Sequence, residues 1–284
     1  MKTQDYPIHQ PATATRHRVV TYVRLIWYAI EHKISCYDLP SLMIIIISPF
    51  LHFLRFKGRL PTPLGSVRID SDDVLREFVY ALFKTKFRYM PTIAAIPFET
   101  SHRSTIVDVG ANIGDFTMAV SRKAGTVISI EPGRETFATL CDNLRGNSLN
   151  NVIALNIGAH DSVESLNFDG DYLGLRVTDH ETEQQAPGMP LDLVLSTHGI
   201  EQIDILKIDA QGHETKVLNG AIGSLKKHTV GLVIVEVHPA WGVQIDDVIS
   251  FLQSCDYRLV RRDNGPFQPQ LYFMNSWDPP SRIR

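Results

Sequence analysis

A chain of 284 residues with 44% hydrophobic and 21% charged residues has the make-up of an ordinary globular protein, with room for one large α/β domain and an appendage. Cys36, Cys141 and Cys255 follow no CxxC or disulfide-framework spacing, which favours a reducing, cytoplasmic setting. The net charge of −3 hides an asymmetry: residues 1–59 carry eight Lys/Arg against three acids, so the remainder sums to −8 and makes a poor nucleic-acid binder, since phosphate neutralisation supplies most of such affinity.

Residues 1–15 lack periodicity and are expected to fray. Val19 to Ile30 reads as a short helix with Val19, Val23, Ile26 and Ile30 along one side. Ser41 to Leu54, SLMIIIISPFLHFL, is the most apolar stretch. It falls short of the roughly 20 residues that a membrane-spanning helix needs. Pro40 and Pro49 each disturb a helix there, and the run begins too late for a cleaved secretory signal. Two readings stay open. The run packs on the main domain or in a homodimer, or it touches an anionic membrane surface through residues 16–59, with Arg16, Arg18, Arg24 and Arg55 to Arg59 toward the headgroups. Asp72 to Phe87 repeats the helical pattern through Val74, Phe78, Leu82 and Phe83, with Asp72 and Asp73 suited to the first turn. Together these make residues 1–95 a basic, apolar, mainly helical extension.

Past residue 95 the rhythm changes. Strands are predicted at Thr105–Val109, Val127–Ile130, Val152–Ile157, Ile203–Ile208 and Leu232–Val237. Helices are predicted at Asp115–Lys123, Glu135–Leu144, Glu214–Leu225 and Asp246–Ser254. The polar stretch Asp169–Gly188 is read as a loop or extra hairpin, and Tyr257–Val260 with Leu271–Phe273 as a closing pair of strands. Alternating strands and helices imply a mostly parallel α/β sheet covered on both faces. The closing pair adds an antiparallel hairpin at one edge, the order expected of a Rossmann-like class I methyltransferase.

The first strand runs into Val107-Asp108-Val109-Gly110-Ala111-Asn112-Ile113-Gly114. Gly110, Asn112 and Gly114 suit a tight turn with positive φ, close to a ligand and opening a helix whose free N–H groups favour an anionic group. No GKS/T follows, which excludes a P-loop, and the GxxxG spacing misses the GxGxxG of dinucleotide sites. An acid two residues ahead of the first glycine fits a turn that holds the amino-acid end of S-adenosylmethionine; a structural turn without ligand stays open. Glu131, 21 residues after Gly110, ends the second strand where a carboxylate accepts both ribose hydroxyls of a nucleoside lying across the switch point.

The blocks VDVGANIGDFT, IEPGRETFATLCDNL, IDILKIDAQGHETKVLNGA and VIVEVHP, in this order, resemble the FkbM methyltransferase family over about Ser104 to Asn275. The resemblance implies a methyltransferase domain over 96–284, S-adenosyl-L-methionine as cofactor, and methyl transfer to hydroxyl oxygens of natural-product macrocycles or of sugars in glycoconjugates. By the same resemblance Asp108, Gly110, Asn112, Gly114 and Glu131 are cofactor contacts, and Asp161 sits where such enzymes touch adenine. Residues 1–95 have no counterpart in the family.

Methyl transfer asks the protein to align an acceptor oxygen, exclude water and remove the alcohol's proton. The ends of the fourth and fifth strands offer Asp209, His213, Glu214, Glu236 and His238. Asp209 with His238 or His213 is the expected base, and Glu214 a positioning group or merely the first residue of its helix. Lys207 is read as packed or snorkelling. Asp209, Glu236 and His238 are a conceivable magnesium set, yet HExxH is missing and no metal is expected. The rival classes are a nicotinamide-dependent oxidoreductase and a degenerate, membrane-tethered binding module. An RNA or protein methyltransferase is disfavoured, because the only Asp-Pro-Pro, at Asp278 to Pro280, follows the final strand.

Overall fold

The computed structural model describes residues 43, 44, 47, 51, 56–85, 89–95, 100–170, 175–264 and 268–276. The helix expected over 19–30, most of the apolar run 41–54 and the cations from Arg16 to Arg55 lie outside them. No helix among the described residues is long and apolar enough to cross a membrane. The chain divides into two compact units, 1–92 and 93–284.

The first unit holds a hairpin absent from the sequence expectations. Strands β1 (Gly58–Thr62) and β2 (Gly65–Ile69) pair antiparallel. Thr62 closes their turn: its Oγ1 accepts from the Leu64 and Gly65 amides and donates to the Gly65 carbonyl. Helix α1 (Asp72–Lys84) follows. Ser71 caps it by accepting from the Val74 amide, so the helix begins where Asp72 and Asp73 predict; the expected end at Phe87 lies outside the described residues. Val74, Phe78 and Leu82 are fully buried. The division between units falls inside the short helix α2 (Met90–Ala95).

In the second unit, strand β3 (Thr105–Val109), helix α3 (Asp115–Ser121), strand β4 (Thr126–Ile130), helix α4 (Arg134–Gly146) and strand β5 (Val152–Leu155) follow the expected alternation. Four short strands come next: β6 (Gly158–His160), β7 (Glu164–Asp169), β8 (Arg176–Thr178) and β9 (Gln185–Pro190). They form a separate sheet in the order β6-β9-β7-β8 around Leu166, Phe168 and Ala186. The predicted loop or hairpin thus becomes a small sheet that begins before Asp169. Helix α5 (Leu191–Thr197), which the sequence reading omitted, leads to strand β10 (Ile203–Ile208).

The helix predicted over Glu214–Leu225 is broken at Ala221 into α6 (Glu214–Gly220) and α7 (Ile222–Lys226). Asp192 of α5 explains the break. Its carboxylate accepts from the Gly223 and Ser224 amides and the Ser224 hydroxyl, claiming donors at the start of α7. Strand β11 (Val230–Glu236), helix α8 (Ile245–Ser254) and strands β12 (Tyr257–Asp263) and β13 (Gln270–Asn275) complete the chain.

The main sheet has the order β12-β13-β11-β10-β3-β4-β5. The strands from β5 to β11 are mutually parallel, and β13 lies antiparallel between β11 and β12. This is the class I methyltransferase arrangement. The closing hairpin is present, with its second strand inserted inside the edge because β13, buried at every position, is the one able to sit between neighbours. Val107, Ile128, Leu206 and Val233 are fully buried in the core, each contributing roughly 1.5–3 kcal/mol of burial. Strand order reverses between β3 and β10, so their C-terminal ends open the crevice where ligands of such sheets bind.

Gly220 couples α6 to the small sheet: a Cβ there would lie 2.0 Å from the His160 carbonyl oxygen and 3.2 Å from Pro190 Cα. Glycine to alanine in a helix normally stabilises by about 1 kcal/mol. Here Gly220→Ala is expected to destabilise instead, by about 1–3 kcal/mol, and a urea unfolding curve that shifts toward higher midpoint contradicts this packing.

Candidate active site

The turn after β3 is fastened from two sides. Gly110, Asn112 and Gly114 adopt φ of 71°, 49° and 93°. The amides of Gly110 and Ala111 both donate to the Ile130 carbonyl at 3.0 Å. Gly110 has no room for a side chain, since a Cβ would stand 1.9 Å from the Asp209 carbonyl oxygen. This close approach brings the mouths of β3 and β10 together.

Beneath the turn lies a buried ion pair. Asp108, fully buried, sits 3.0 Å from the Lys207 ammonium through Oδ1, and its Oδ2 accepts from Thr117 at 2.7 Å. Thr117 in turn meets Ser129 of β4 at 2.7 Å. Lys207 also donates to the carbonyls of Val109 and Gly110, at 3.2 and 2.7 Å. Burial pushes the Asp108 carboxyl upward, while Lys207 and Thr117 pull it back. Lys207 is only 3% exposed, so its head group does not snorkel; it is packed and paired. Both Asp108 oxygens face protein donors, which makes this acid a brace for the turn.

Glu131 is 5% exposed and accepts three protein hydrogen bonds: Asn112 N on Oε2 at 2.8 Å, and Gly133 N and Thr136 Oγ1 on Oε1 at 2.9 and 2.8 Å. Burial raises its pKa against these three bonds. An ionised carboxylate offers about four acceptor positions, so the protein leaves capacity on Oε2 for one further donor.

Asp161 lies just past β6. It meets Lys216 of α6 at 2.8 Å and His160 Nδ1 at 2.9 Å, and the Lys216 hydrogen bond holds its carboxyl below the usual range. His213 belongs to this neighbourhood, with its ring 5.7 Å from that of His160 and its pKa lowered by burial and by His160.

The remaining predicted groups converge on the other side of β10. Glu214 is fully buried; its Oε1 accepts the Gly212 amide at 3.1 Å and lies 2.7 Å from His238 Nδ1. It is therefore both the start of α6 and a clamp on His238. The imidazole stacks on Trp241 at 4.9 Å and turns Nε2 toward Asp209 Oδ1, 3.7 Å away. Burial opposes protonation of His238, but Glu214, Asp209 and Glu236 outweigh it and raise the pKa. Gln270 donates to Glu236 Oε2 and accepts from Tyr272. One ligand atom each from Asp209, Glu236 and His238 lie within 4.8 Å of one another. Asp209, Glu214 and His238 thus form one cluster, while His213 stands with His160.

Thr117, Ser129, Thr136, Trp241 and Gln270 were not singled out from the sequence. A lysine in the middle of an apolar strand, as in Ile205-Leu206-Lys207-Ile208, is a readable sign of a buried anion nearby. Single hydroxyls carry no such sign.

These strand-end groups on a class I sheet define a methyltransferase-type crevice. The chain belongs to the FkbM methyltransferase family, whose profile, described as a methyltransferase FkbM domain, matches residues 108–259. It is 29% identical over 159 residues to hexuronic acid methyltransferase AglP of Haloferax volcanii, covering 55% of this chain and 64% of that protein. A second relative, Methyltransferase 1 of Beauveria bassiana, is 26% identical over 41% of this chain and 58% of its own length. The chain therefore spans less than two thirds of the length of these curated relatives. A solved FkbM methyltransferase from Methylobacillus flagellatus aligns with 83% of this chain and 60% of its own, at TM-score 0.48 and 19% identity.

Removing the cation from a buried pair leaves an uncompensated charge. Lys207→Met is expected to lose about 3–5 kcal/mol of stability, with part of it restored in the double variant Asp108→Asn/Lys207→Met. A double-mutant cycle on urea midpoints checks the coupling; additive losses refute the brace.

Proposed function

We propose that this protein is an S-adenosylmethionine-dependent O-methyltransferase acting on a hydroxyl of a sugar, glycoconjugate or natural product. The observation that carries this reading is the pairing of two functions across the switch point. Glu131 and the Asn112 turn lie on one side, and a buried carboxylate–imidazole cluster built on Asp209 lies on the other. The residues fit the cofactor: three turn positions in left-handed backbone, and one acceptor position left on Glu131 Oε2 for a ribose hydroxyl. When bound, S-adenosylmethionine supplies a methyl group already activated on a sulfonium.

The chain's own groups do the rest. Asp108 and Lys207 fix the turn without touching a ligand. Gly110 and Gly114 give it left-handed backbone, with the Asp209 carbonyl and Leu140 packed where a Cβ would stand. Asp161, kept ionised by Lys216, suits an amino group such as that of adenine. Asp209, 8% exposed, is the group placed to accept the acceptor's hydroxyl proton, with His238 and Glu214 positioning it. His213 is assigned to the Asp161 neighbourhood. A sugar acceptor is supported by the likeness to a protein named as a hexuronic acid methyltransferase.

Calorimetric titration separates the cofactors: saturable binding of S-adenosylmethionine is expected, and binding of NAD(H) with no response to the methyl donor overturns the reading. Glu131→Gln should weaken donor binding by about 1.5–3 kcal/mol, the worth of a hydrogen bond to a charged group, while unchanged affinity removes the ribose role. Asp209→Asn should lower kcat about 100- to 10,000-fold and leave donor affinity within twofold, measured with whichever acceptor supports turnover.

A further inference from the structure

Asp209, Glu236 and His238, conceivable as a magnesium set from sequence although no metal was expected, form a buried cluster at the mouths of β10 and β11 with the ligand arrangement of a cation site. His238 is 1% exposed, and its two ring nitrogens are treated differently. Nδ1 is held by Glu214 at 2.7 Å, whereas among the described residues no group lies within hydrogen-bond distance of Nε2. That nitrogen is aimed at Asp209 Oδ1, at 3.7 Å, and Glu236 completes the set, with all three donor atoms within 4.8 Å.

Ligands on opposite sides of one cation lie about 4–5 Å apart, twice a bond of roughly 2.0–2.6 Å. A histidine ligand typically gives its other ring N–H to a carboxylate, which fixes the ring and raises its basicity; Glu214 does so here. The charge balance points the same way. Asp209, Glu214 and Glu236 are each at most 8% exposed, and the neighbouring Lys207 lies closer to Asp108, at 3.0 Å, than to Asp209, at 3.9 Å. Three buried carboxylates beside one imidazole concentrate negative charge that a bound cation would offset.

We propose that Asp209 Oδ1, Glu236 and His238 Nε2 bind a divalent cation that accepts mixed oxygen and nitrogen ligands, Mn2+ in particular, with Glu214 as the outer carboxylate. The proposal rests on the methyltransferase reading for its purpose: the cation takes the acceptor's hydroxyl oxygen as a further ligand and eases its ionisation, and the proton passes to Asp209 Oδ2, the oxygen not bound to the cation, which lies 3.9 Å from Lys207.

The test uses the full chain, stripped with chelator and titrated with Mn2+ alone, with free Mn2+ followed by electron paramagnetic resonance. One saturable site is expected. Glu236→Gln and His238→Gln should each weaken it at least ~10-fold, and Glu214→Gln, which touches no cation, about 10- to 100-fold. Glu164→Gln, in the more exposed group of His160, Asp161 and Glu164, should leave it unchanged. Absence of saturable binding up to millimolar Mn2+, binding that survives both Glu236→Gln and His238→Gln, or binding lost in Glu164→Gln overturns the site. S-adenosylmethionine binding is measured on the same samples. If the donor binds and Mn2+ does not, only the cation site falls; if the donor fails to bind, the methyltransferase reading falls, and the Mn2+ titration still decides the cation site.

Discussion

The contact between Asp108 and Lys207 is the constraint on which the rest of the site depends. It joins β3 and β10, the neighbouring parallel strands between which the strand order reverses, at the level where the sheet opens. Its lysine also holds two backbone carbonyls of the glycine turn, and its aspartate is tied through Thr117 and Ser129 to β4. A buried pair of this kind is not a large net source of stability. Its effect is on geometry: three strands and one turn share a single hydrogen-bonded knot, so the turn's backbone conformation is imposed from below.

Above that knot the site separates into two chemically distinct halves. Glu131 is held rigid by three protein donors, with acceptor capacity left on Oε2. The Asp209 half is the reverse: acids are crowded around an imidazole that is fixed by stacking on Trp241 and by Glu214. Rigidity on the first side suits binding, and concentrated negative charge on the second suits work on an acceptor's proton or on a cation.

Much of the scaffold was legible because its signals are periodic. Apolar runs such as Ile203–Ile208 and Leu232–Val237 and the amphipathic α4 and α8 declare themselves locally, and the strand ends then place Asp209, Glu131 and His238 by topology alone. What was not legible depends on contacts distant in sequence. Asp192 splits a helix through a donor 31 residues away, and no local pattern in Glu214–Leu225 announces it. The small sheet was missed because its strands are short and polar, with burial confined to a few residues such as Leu166, Phe168 and Ala186. Spacing cannot tell which way a carboxylate points, so the contacts of Asp108 to Lys207 and Thr117 come only with the fold. His213 and His238 looked equivalent for the same reason, and only the fold sends one toward His160 and the other toward Asp209.

The small sheet carries its own apolar centre and meets α6 through backbone at Gly220, where His160 and Pro190 press against a residue without a side chain. A joint made of main-chain atoms is indifferent to the identity of the residues on the sheet's far strands. Exchange of those strands between homologues, with the glycine and its two facing positions retained, can then diversify the rim of the crevice while the parallel framework is inherited untouched.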